Sequence, residues 1–533
     1  MPQDKPLKIL VTSDIHAHLT LDPPNRRPGL ARLATYVNAL KATARVVLLD
    51  AGDLFSGSFY GAADHGRAVA KLVGQLGYAG LLPGNHDFDY CPEVEDPLYY
   101  FNTLLPAARV ESPKLRTLAF NLRYQGQPVG NCVEPLVLRV DPPVVVLGVM
   151  SPLTHRPSLG SFLNDFDFGL KASLAQTKEA LLASLAKTLA PLERVGGQAI
   201  ILSHLGASTQ AHAGLRGQLS LDFANAPLGQ DLTEIPGVSL VVDGHSHEVI
   251  PPSRPGQKAL YLNLGQGLEA LAEITLNNPP APLSVKLLTF EELANLEPDP
   301  TISAQIETLG DLLGFGQELT DLPPQAPYSL AGLWETITPL GQLVVEAMAW
   351  KAGAQLALLN KGALREGLSG RVTRGSVRQA LPFNDQLIPT VITGRELTRL
   401  LRRAGQKGFL GFPLYHGLEL WAYPDGDEAR LVGVTLANGE ELELGRAYSL
   451  ALSGQMARLL ARTGLSLPAG RPLGTVTDAV IELIERRRGQ AFLHDPLICP
   501  YRLFENETSA QKAFATWPRQ PQLSEGELTT GQP

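Results

Sequence analysis

The sequence predicts a layered α/β protein in two parts, and three observations predict it. Through about residue 275, apolar runs of strand length alternate with stretches of helical periodicity. Pro-rich segments at 277–284, 296–300 and 321–327 interrupt that alternation. A second alternation of helix and strand then runs from about 328 to 502. A chain of 533 residues also exceeds what one core organises, at roughly 100–200 residues per domain.

Five apolar runs define the first part. KILVTSDIH carries Asp14 and His16, and RVVLLDAGD ends at Asp53. AGLLPGNHD passes through Asn85 and His86, AIILSH ends at His204, and LVVDGHSH ends in His245 and His247. Their length and β-branched, Leu-rich content are those of buried strands. Each donor falls where its strand would run out, the edge at which α/β sheets bind ligands. LARLATYVNALKATA and LAQTKEALLASLAKTLAPL supply helices between the strands. DPTISAQIETLGDLLG reads as a helix inside a linker spanning 276–327.

In the second part, GQLVVEAMAWKAGA reads as a buried helix and AQLALLN as a strand. TGRELTRLLRRAG starts on a capping box, Thr393 with Glu396, and meets a stop at Gly405. LVGVTLANGEELELG is a hairpin turning on Asn438–Gly439. TVTDAVIELIERRRG is a helix from Thr475 to Gly489, with Arg486, Arg487 and Arg488 placed to favour its C-terminal dipole. The polar, Pro-punctuated tail, 503–533, is predicted to be disordered.

Net charge of -8 and pI near 5.8 argue against a nucleic-acid polymer as partner. An acidic chain can still take a phosphate substrate, because bound divalent cations reverse the local field. Three scattered cysteines, Cys91, Cys132 and Cys499, make neither a disulfide framework nor a thiolate zinc site. No run approaches the roughly 18 apolar residues of a membrane span. MPQDKPLKILVTSD lacks a basic segment leading into an apolar leader, so the expectation is a cytoplasmic protein. There is no G-x-S-x-G elbow and no G-x-x-x-x-G-K-[ST] loop, which sets aside a serine hydrolase and a P-loop NTPase.

Asp14, His16, Asp53, Asn85, His204, His245 and His247 form a donor set of carboxylate, amide and imidazole without thiolate. Such a set suits divalent Mn, Zn, Co, Fe or Mg. Seven protein ligands exceed what one ion takes, whereas two ions sharing Asp53 would use them all. A single D-x-H arises by chance in a chain of this size; five strand-end clusters in one domain do not. Of the other histidines only His18 is placed to line the site. His65, His155, His212, His416 and His494 read as structural or solvated.

The ordered series DIH, GDLFSGS, GNHDFD, SHLG and GHSH resembles the calcineurin-like metallophosphoesterases. More closely, it resembles the 5′-nucleotidase family, in which such a domain precedes a distinct C-terminal domain. The resemblance covers about residues 7–500. It implies a β-sandwich flanked by helices over 1–275 and a smaller α/β substrate domain over 328–502. It also implies one ion on Asp14, His16, Asp53 and His247, and a second on Asp53, Asn85, His204 and His245. His86 would pair with Asp89, a carboxylate that fixes the imidazole tautomer and raises its basicity. The implied reaction is hydrolysis of phosphate monoesters, nucleotides foremost, by a hydroxide bridging the metals. Alternatives are 2′,3′-cyclic nucleotides, nucleotide sugars, non-nucleotide phosphate esters, or a metal-binding scaffold without catalysis. Asp87 stands where many relatives carry Glu and is read as a supporting residue outside the ligand set.

In the family's C-terminal domain an N-G-G-G-I-R segment and an L-P-F-G-N segment clamp the nucleotide. The counterparts are Asn360 through Arg365 in NKGALR and Phe383 in LPFND. The resemblance implies that Arg365 reaches a phosphate or ribose edge and that Phe383 stacks on a base, a contact worth about 1–3 kcal/mol. Other features depart from the pattern. Lys361 and Ala363 break the glycine triplet, Thr338 stands where an Arg is expected, and no G-G-D-G segment follows. Met456 replaces the second aromatic ring, and its polarizable thioether could still pack on a base.

Overall fold

Each of the five donor-tipped runs is a strand in the computed structural model, and the strands divide between two six-stranded sheets. In the first sheet Leu7–Thr12, Arg45–Asp50, Tyr78–Leu81 and Arg116–Thr117 run parallel. Ala270–Leu276 and Ser284–Thr289 complete it in antiparallel fashion. In the second sheet Val144–Val149, Gln198–Ser203, Val238–Asp243 and Leu260–Leu264 run parallel, with antiparallel strands at both edges. The registers put Thr12 opposite Asp50 and Ser203 opposite Asp243, so the donor-bearing strands of each sheet stop level with one another.

Residue alternation assembles the layers. In the second sheet Val146, Ile200, Leu202, Leu240 and Val242 join Ile9 and Val11 of the first in one buried cluster. The intervening Val145, Leu147, Ile201 and Val241 pack on Leu181, Leu185 and Leu189 of the helix Leu174–Arg194. Both faces are covered, which is why these strands read as continuous apolar runs up to their polar tips. Each fully buried side chain contributes about 1.5–3 kcal/mol. The fold is the helix-flanked sandwich that the motif resemblance implies.

The structure describes residues 5–516 except 92–93, 155–162, 209–222, 255–258, 277–282, 323–327, 329–337, 384, 405–412, 426–427, 463, 466, 469, 488–500 and 504–505. His155, His212, His494, Cys499, the Gly405 stop, the Arg488–Gly489 end of the last capped helix and 517–533 fall outside the described residues. Cys91 and Cys132 are buried free thiols. Among the described residues no helix is long and apolar enough to cross a membrane.

The chain divides into two compact units, Met1–Phe315 and Gly316–Pro533. The first thus reaches beyond 275. The helix Pro300–Leu312, read as part of a linker, is capped by Asp299, whose side chain accepts from Thr301 and Ile302 N–H at 3.0 and 3.1 Å. It belongs to the first unit: Asp299 N–H donates to Ala31 O at 2.9 Å, and Ile302 and Ile306 are buried in the main core. Phe315 then stacks on Tyr60 with centroids 5.1 Å apart.

In the second unit the four-stranded sheet runs Leu387–Thr393, Ala447–Ser453, Leu356–Leu359, Leu414–His416. Helix Pro339–Ala352 is largely buried and starts on Thr338, whose Oγ1 accepts Gly341 N–H at 3.1 Å. The Thr393–Glu396 capping box is present, Thr393 N–H donating to Glu396 Oε2 at 2.9 Å and Glu396 N–H to Thr393 Oγ1 at 3.3 Å. Asn438–Gly439 makes its turn, with Gly439 at φ 84°, but the return limb adds only an isolated bridge, Thr435 to Glu441. At the end of the capped helix Val476–Arg486, Arg487 pairs with Glu346 at 2.6 Å and Arg486 lies over the Trp350 ring.

The expected disorder of the tail does not hold for its first part, because Glu507–Thr516 is a helix. Asn506 caps it by accepting Ser509 N–H at 3.0 Å. Phe514 anchors it edge-on to Trp421, over Gly433, where any Cβ would stand 2.3 Å from the ring. One aromatic anchor outweighs an otherwise polar composition.

Candidate metal centre

The turns that follow the strands Leu7–Thr12, Arg45–Asp50 and Val238–Asp243 carry five of the donors. Asp14, His16, Asp53, His245 and His247 all adopt left-handed backbone, with φ between 50° and 72°. Such conformations cost about 1–3 kcal/mol each for residues with a Cβ and cluster at functional sites. Neighbouring glycines let the turns interlock. A Cβ on Gly52, at φ 111°, would stand 2.4 Å from His204 Nδ1, and one on Gly84 would stand 2.2 Å from Asp53 Oδ1.

Six of the seven predicted ligands fall into two groups, Asp14, His16 and His247, and Asp53, His204 and His245; in each the donor atoms lie within 4.8 Å of one another. His16 Nε2 is 3.0 Å from His247 Nε2 and 3.8 Å from Asp14 Oδ1, and His247 Nε2 is 3.4 Å from Asp14 Oδ1. Asp53 Oδ2 lies 3.8 Å from His16 Nε2 and 3.1 Å from His204 Nε2, so one oxygen reaches both groups. Asn85, the seventh, is buried at the start of the short turn His86–Phe88. His18 is buried nearby and joins neither group.

Hydrogen bonding fixes which imidazole nitrogen faces inward. His16 Nδ1 contacts Ser56 O at 2.9 Å and His204 Nδ1 contacts Ala51 O at 2.8 Å. A carbonyl only accepts, so each Nδ1 carries the hydrogen and each Nε2 turns to the donor cluster. Asp53 Oδ2 and His204 Nε2 are buried and complete no hydrogen bond. Donors converging at 3–4 Å from one another match ligands sharing an ion at about 2.0–2.2 Å. The residues fit a dinuclear divalent centre.

Electrostatics agree. Burial pushes the His16 imidazole down to about 3, which keeps it a neutral ligand. Burial is the largest single influence and would raise the Asp14 and Asp53 carboxyls, but His204 and His247 together at Asp14, and His204, His86 and His16 together at Asp53, outweigh it. Both stay below their ordinary range. For His204, burial opposes charge, yet Asp53 and Asp14 raise it to about 10. The pair therefore demands a positive charge between its facing atoms, a proton or a metal ion.

His86 stands at the rim. Its Nδ1 lies 2.6 Å from Asp89 Oδ2, its N–H donates to Asp53 Oδ1 at 2.6 Å, and its carbonyl accepts from Ser56 Oγ at 2.8 Å. Asp87, read from sequence as a supporting residue, is buried and accepts four backbone N–H groups, from Asp53, Leu54, Phe55 and Gly84, at 2.9–3.1 Å. It ties the Asp53 turn to the His86 turn. Burial and the Asp53 charge raise it to about 7.

Two further carboxylates support the centre and were not singled out from sequence. Asp50 accepts from Thr12 Oγ1 at 2.6 Å and Gly52 N–H at 2.9 Å. Asp243 accepts from Tyr261 OH at 2.9 Å and from Leu205 and Gly206 N–H at 3.2 and 3.3 Å. Burial raises both above the usual carboxylate range. Their signal was available: each is the last residue of its strand, one or two positions before a glycine and two or three before a donor.

In the second unit Arg365 lies over the Phe383 ring at 5.4 Å from its centroid, so these two predicted substrate residues meet. Asn360 opens the short turn Lys361–Ala363, with its Oδ1 buried and without a hydrogen bond. Lys361 is buried, and Thr338 is spent as a helix cap. Met456 is 4% exposed inside the core of this unit, which corrects the expectation that its thioether could pack on a base.

Known proteins carry the same two-part layout. Residues 7–249 match the calcineurin-like phosphoesterase model and residues 324–458 match the 5′-nucleotidase C-terminal domain model. Over 458 residues the chain is 26% identical to the trifunctional nucleotide phosphoesterase protein YfkN of Bacillus subtilis (strain 168), covering 78% of this chain but 29% of that protein. Over 146 residues it is 34% identical to 5′-nucleotidase of Homo sapiens, 25% of each chain. The chain thus spans less than a third of the length of either curated relative. In fold it is similar to the 5′-nucleotidase precursor from Thermus thermophilus, with TM-score 0.67, 21% identity, and coverage of 94% of this chain and 99% of that one. The chain thus joins a calcineurin-like phosphoesterase region to a 5′-nucleotidase C-terminal domain, the two-part arrangement that its motifs imply.

Proposed function

We propose that the chain is a two-metal phosphoesterase that hydrolyses phosphate monoesters of nucleotides. One observation carries the reading: Asp53 Oδ2 stands within 3.1–3.8 Å of imidazole nitrogens in both donor groups, and Oδ1 of the same carboxylate holds the His86 backbone. Asp14, His16, Asp53 and His247 would hold one ion, and Asp53, Asn85, His204 and His245 the other. Divalent ions there supply Lewis acidity and an activated water. Asp89 accepts the Nδ1 hydrogen of His86 and leaves Nε2 to exchange a proton with a phosphoryl or leaving-group oxygen. The ring is part-exposed, as a group meeting substrate must be.

The names of the relatives support nucleotides as substrate, as does the Arg365–Phe383 pair, a guanidinium beside a ring. The burial of Met456 and the use of Thr338 as a cap favour loose nucleoside selection, with 2′,3′-cyclic nucleotides, nucleotide sugars and simple phosphate esters as secondary substrates. The test is a panel of AMP, a 2′,3′-cyclic nucleotide, UDP-glucose and p-nitrophenyl phosphate on protein loaded separately with Mn, Zn, Co and Mg. The highest kcat/KM should fall on AMP. Equal turnover of p-nitrophenyl phosphate removes the nucleotide assignment, and inertness with every metal and substrate removes the enzyme.

A further inference from the structure

The helix Gly394–Ala404 of the second unit buries Leu397, Leu400, Leu401 and Ala404 and exposes Arg395, Arg399, Arg402 and Arg403. Positions 395, 399 and 402 follow the i, i+4, i+7 repeat of one helix face, a ridge about 10 Å long at 1.5 Å per residue. The Arg395 N–H donates to Leu444 O at 2.9 Å, bringing a half-exposed leucine alongside. Between them, with Thr398, lies an open groove of about 660 Å³. Among the described residues no carboxylate pairs with Arg395, Arg399 or Arg402, while Glu396 is engaged in its capping box. Like charges stacked on one helix face repel. In a chain of net charge -8 this ridge is a local field of the opposite sign.

We propose that this groove binds the phosphate backbone of a single-stranded nucleic acid. The ridge spans two to three consecutive phosphates of an extended strand, and guanidinium forks suit phosphate oxygens. Leu444 gives a sugar or base face an apolar contact that an inorganic phosphate chain could not use. A bilayer is disfavoured because the helix has already buried its apolar face in the core of the unit. With no aromatic ring lining the groove, recognition is electrostatic and independent of sequence. Overall acidity conceals the patch, which is why net charge alone argues against such a partner. The proposal stands independently of the metal centre.

The test uses the full metal-loaded chain and a nuclease-resistant phosphorothioate strand of about twelve thymidines carrying a fluorophore, read by anisotropy. With two to three phosphate contacts, log Kd should vary with log salt with a slope of about 1.4–2, a loss of about 7–18-fold between about 50 and about 200 mM salt. Arg395→Gln/Arg399→Gln/Arg402→Gln should weaken binding at least about tenfold and flatten the slope to about 1 or less, with p-nitrophenyl phosphate hydrolysis and the circular dichroism melt unchanged. Arg399→Glu alone should show a smaller loss in the same direction. Equal binding by wild type and triple variant overturns the proposal. So does binding of inorganic polyphosphate, or of vesicles containing phosphatidylglycerol, in place of the strand.

Discussion

The two units carry the family's motifs with very different completeness. In the first, six of the seven expected donors converge in two groups, with the inward nitrogens of His16 and His204 set by carbonyls, turns held by Asp50, Asp87 and Asp243, and glycines where a Cβ would collide with a donor side chain. In the second, Arg365 meets Phe383, but the remaining clamp positions are a buried lysine, a helix cap and a core methionine. A dinuclear site tolerates little change, because each donor is also a neighbour of the next. A nucleoside clamp is a sum of separable contacts and can lose members singly. The chemistry of this chain is therefore more tightly determined than its substrate.

Removal of the Asp53 carboxylate, which reaches both donor groups, has the largest expected effect. Asp53→Ala should cut turnover by more than about a thousandfold, because it takes a ligand from both ions and the anchor from His86. Metal analysis should show fewer than two ions per chain. Two bound ions in the variant would mean that Asp53 does not bridge.

His86→Ala should retain both metals and lose about 100- to 10,000-fold in kcat. Asp89→Asn should lose about 10- to 100-fold, since an amide no longer favours the Nδ1–H form. Wild-type kcat in both variants would leave the dyad with a structural role only.

Metal loading should displace the proton that the Asp53 and Asp14 charges favour on His204. The folded pKa of His204, about 10, lies above the ordinary 6.5. In metal-free protein the pair thus contributes stability that is complete below pH 6.5 and disappears as pH rises through about 10. An ion takes the place of that proton, so affinity should rise about tenfold per pH unit up to about 10, with about one proton released on loading near pH 8. A calorimetric titration in two buffers of different ionisation enthalpy measures the release. No proton exchange would show that the imidazole is already neutral.

These differences also mark what the sequence could reveal. The six donors that converge were legible because each stands at the tip of an apolar, strand-length run. The left-handed backbone at five of them was not, because Asp and His carry no side-chain signature of φ. Asp50 and Asp243 read as ordinary strand-end residues until the turns they support are seen. Helix Pro300–Leu312 was legible as a helix but not as part of the first unit, since its assignment depends on where Ile302 and Ile306 are buried. Helix Glu507–Thr516 depends on Phe514 reaching Trp421, a contact between residues far apart in the chain.

The smallest catalytic effects belong to the second unit. Phe383→Ala should raise KM for AMP by no more than about tenfold and leave p-nitrophenyl phosphate unaffected, as expected of a half-buried ring already covered by Arg365. Met456→Ala should leave both KM values alone but cost about 2–5 kcal/mol in urea unfolding, because it opens a cavity in the buried cluster of the second unit. If Met456→Ala instead raised KM for AMP with stability intact, the methionine would be a base platform after all. The second unit would then be a working clamp with an altered ring.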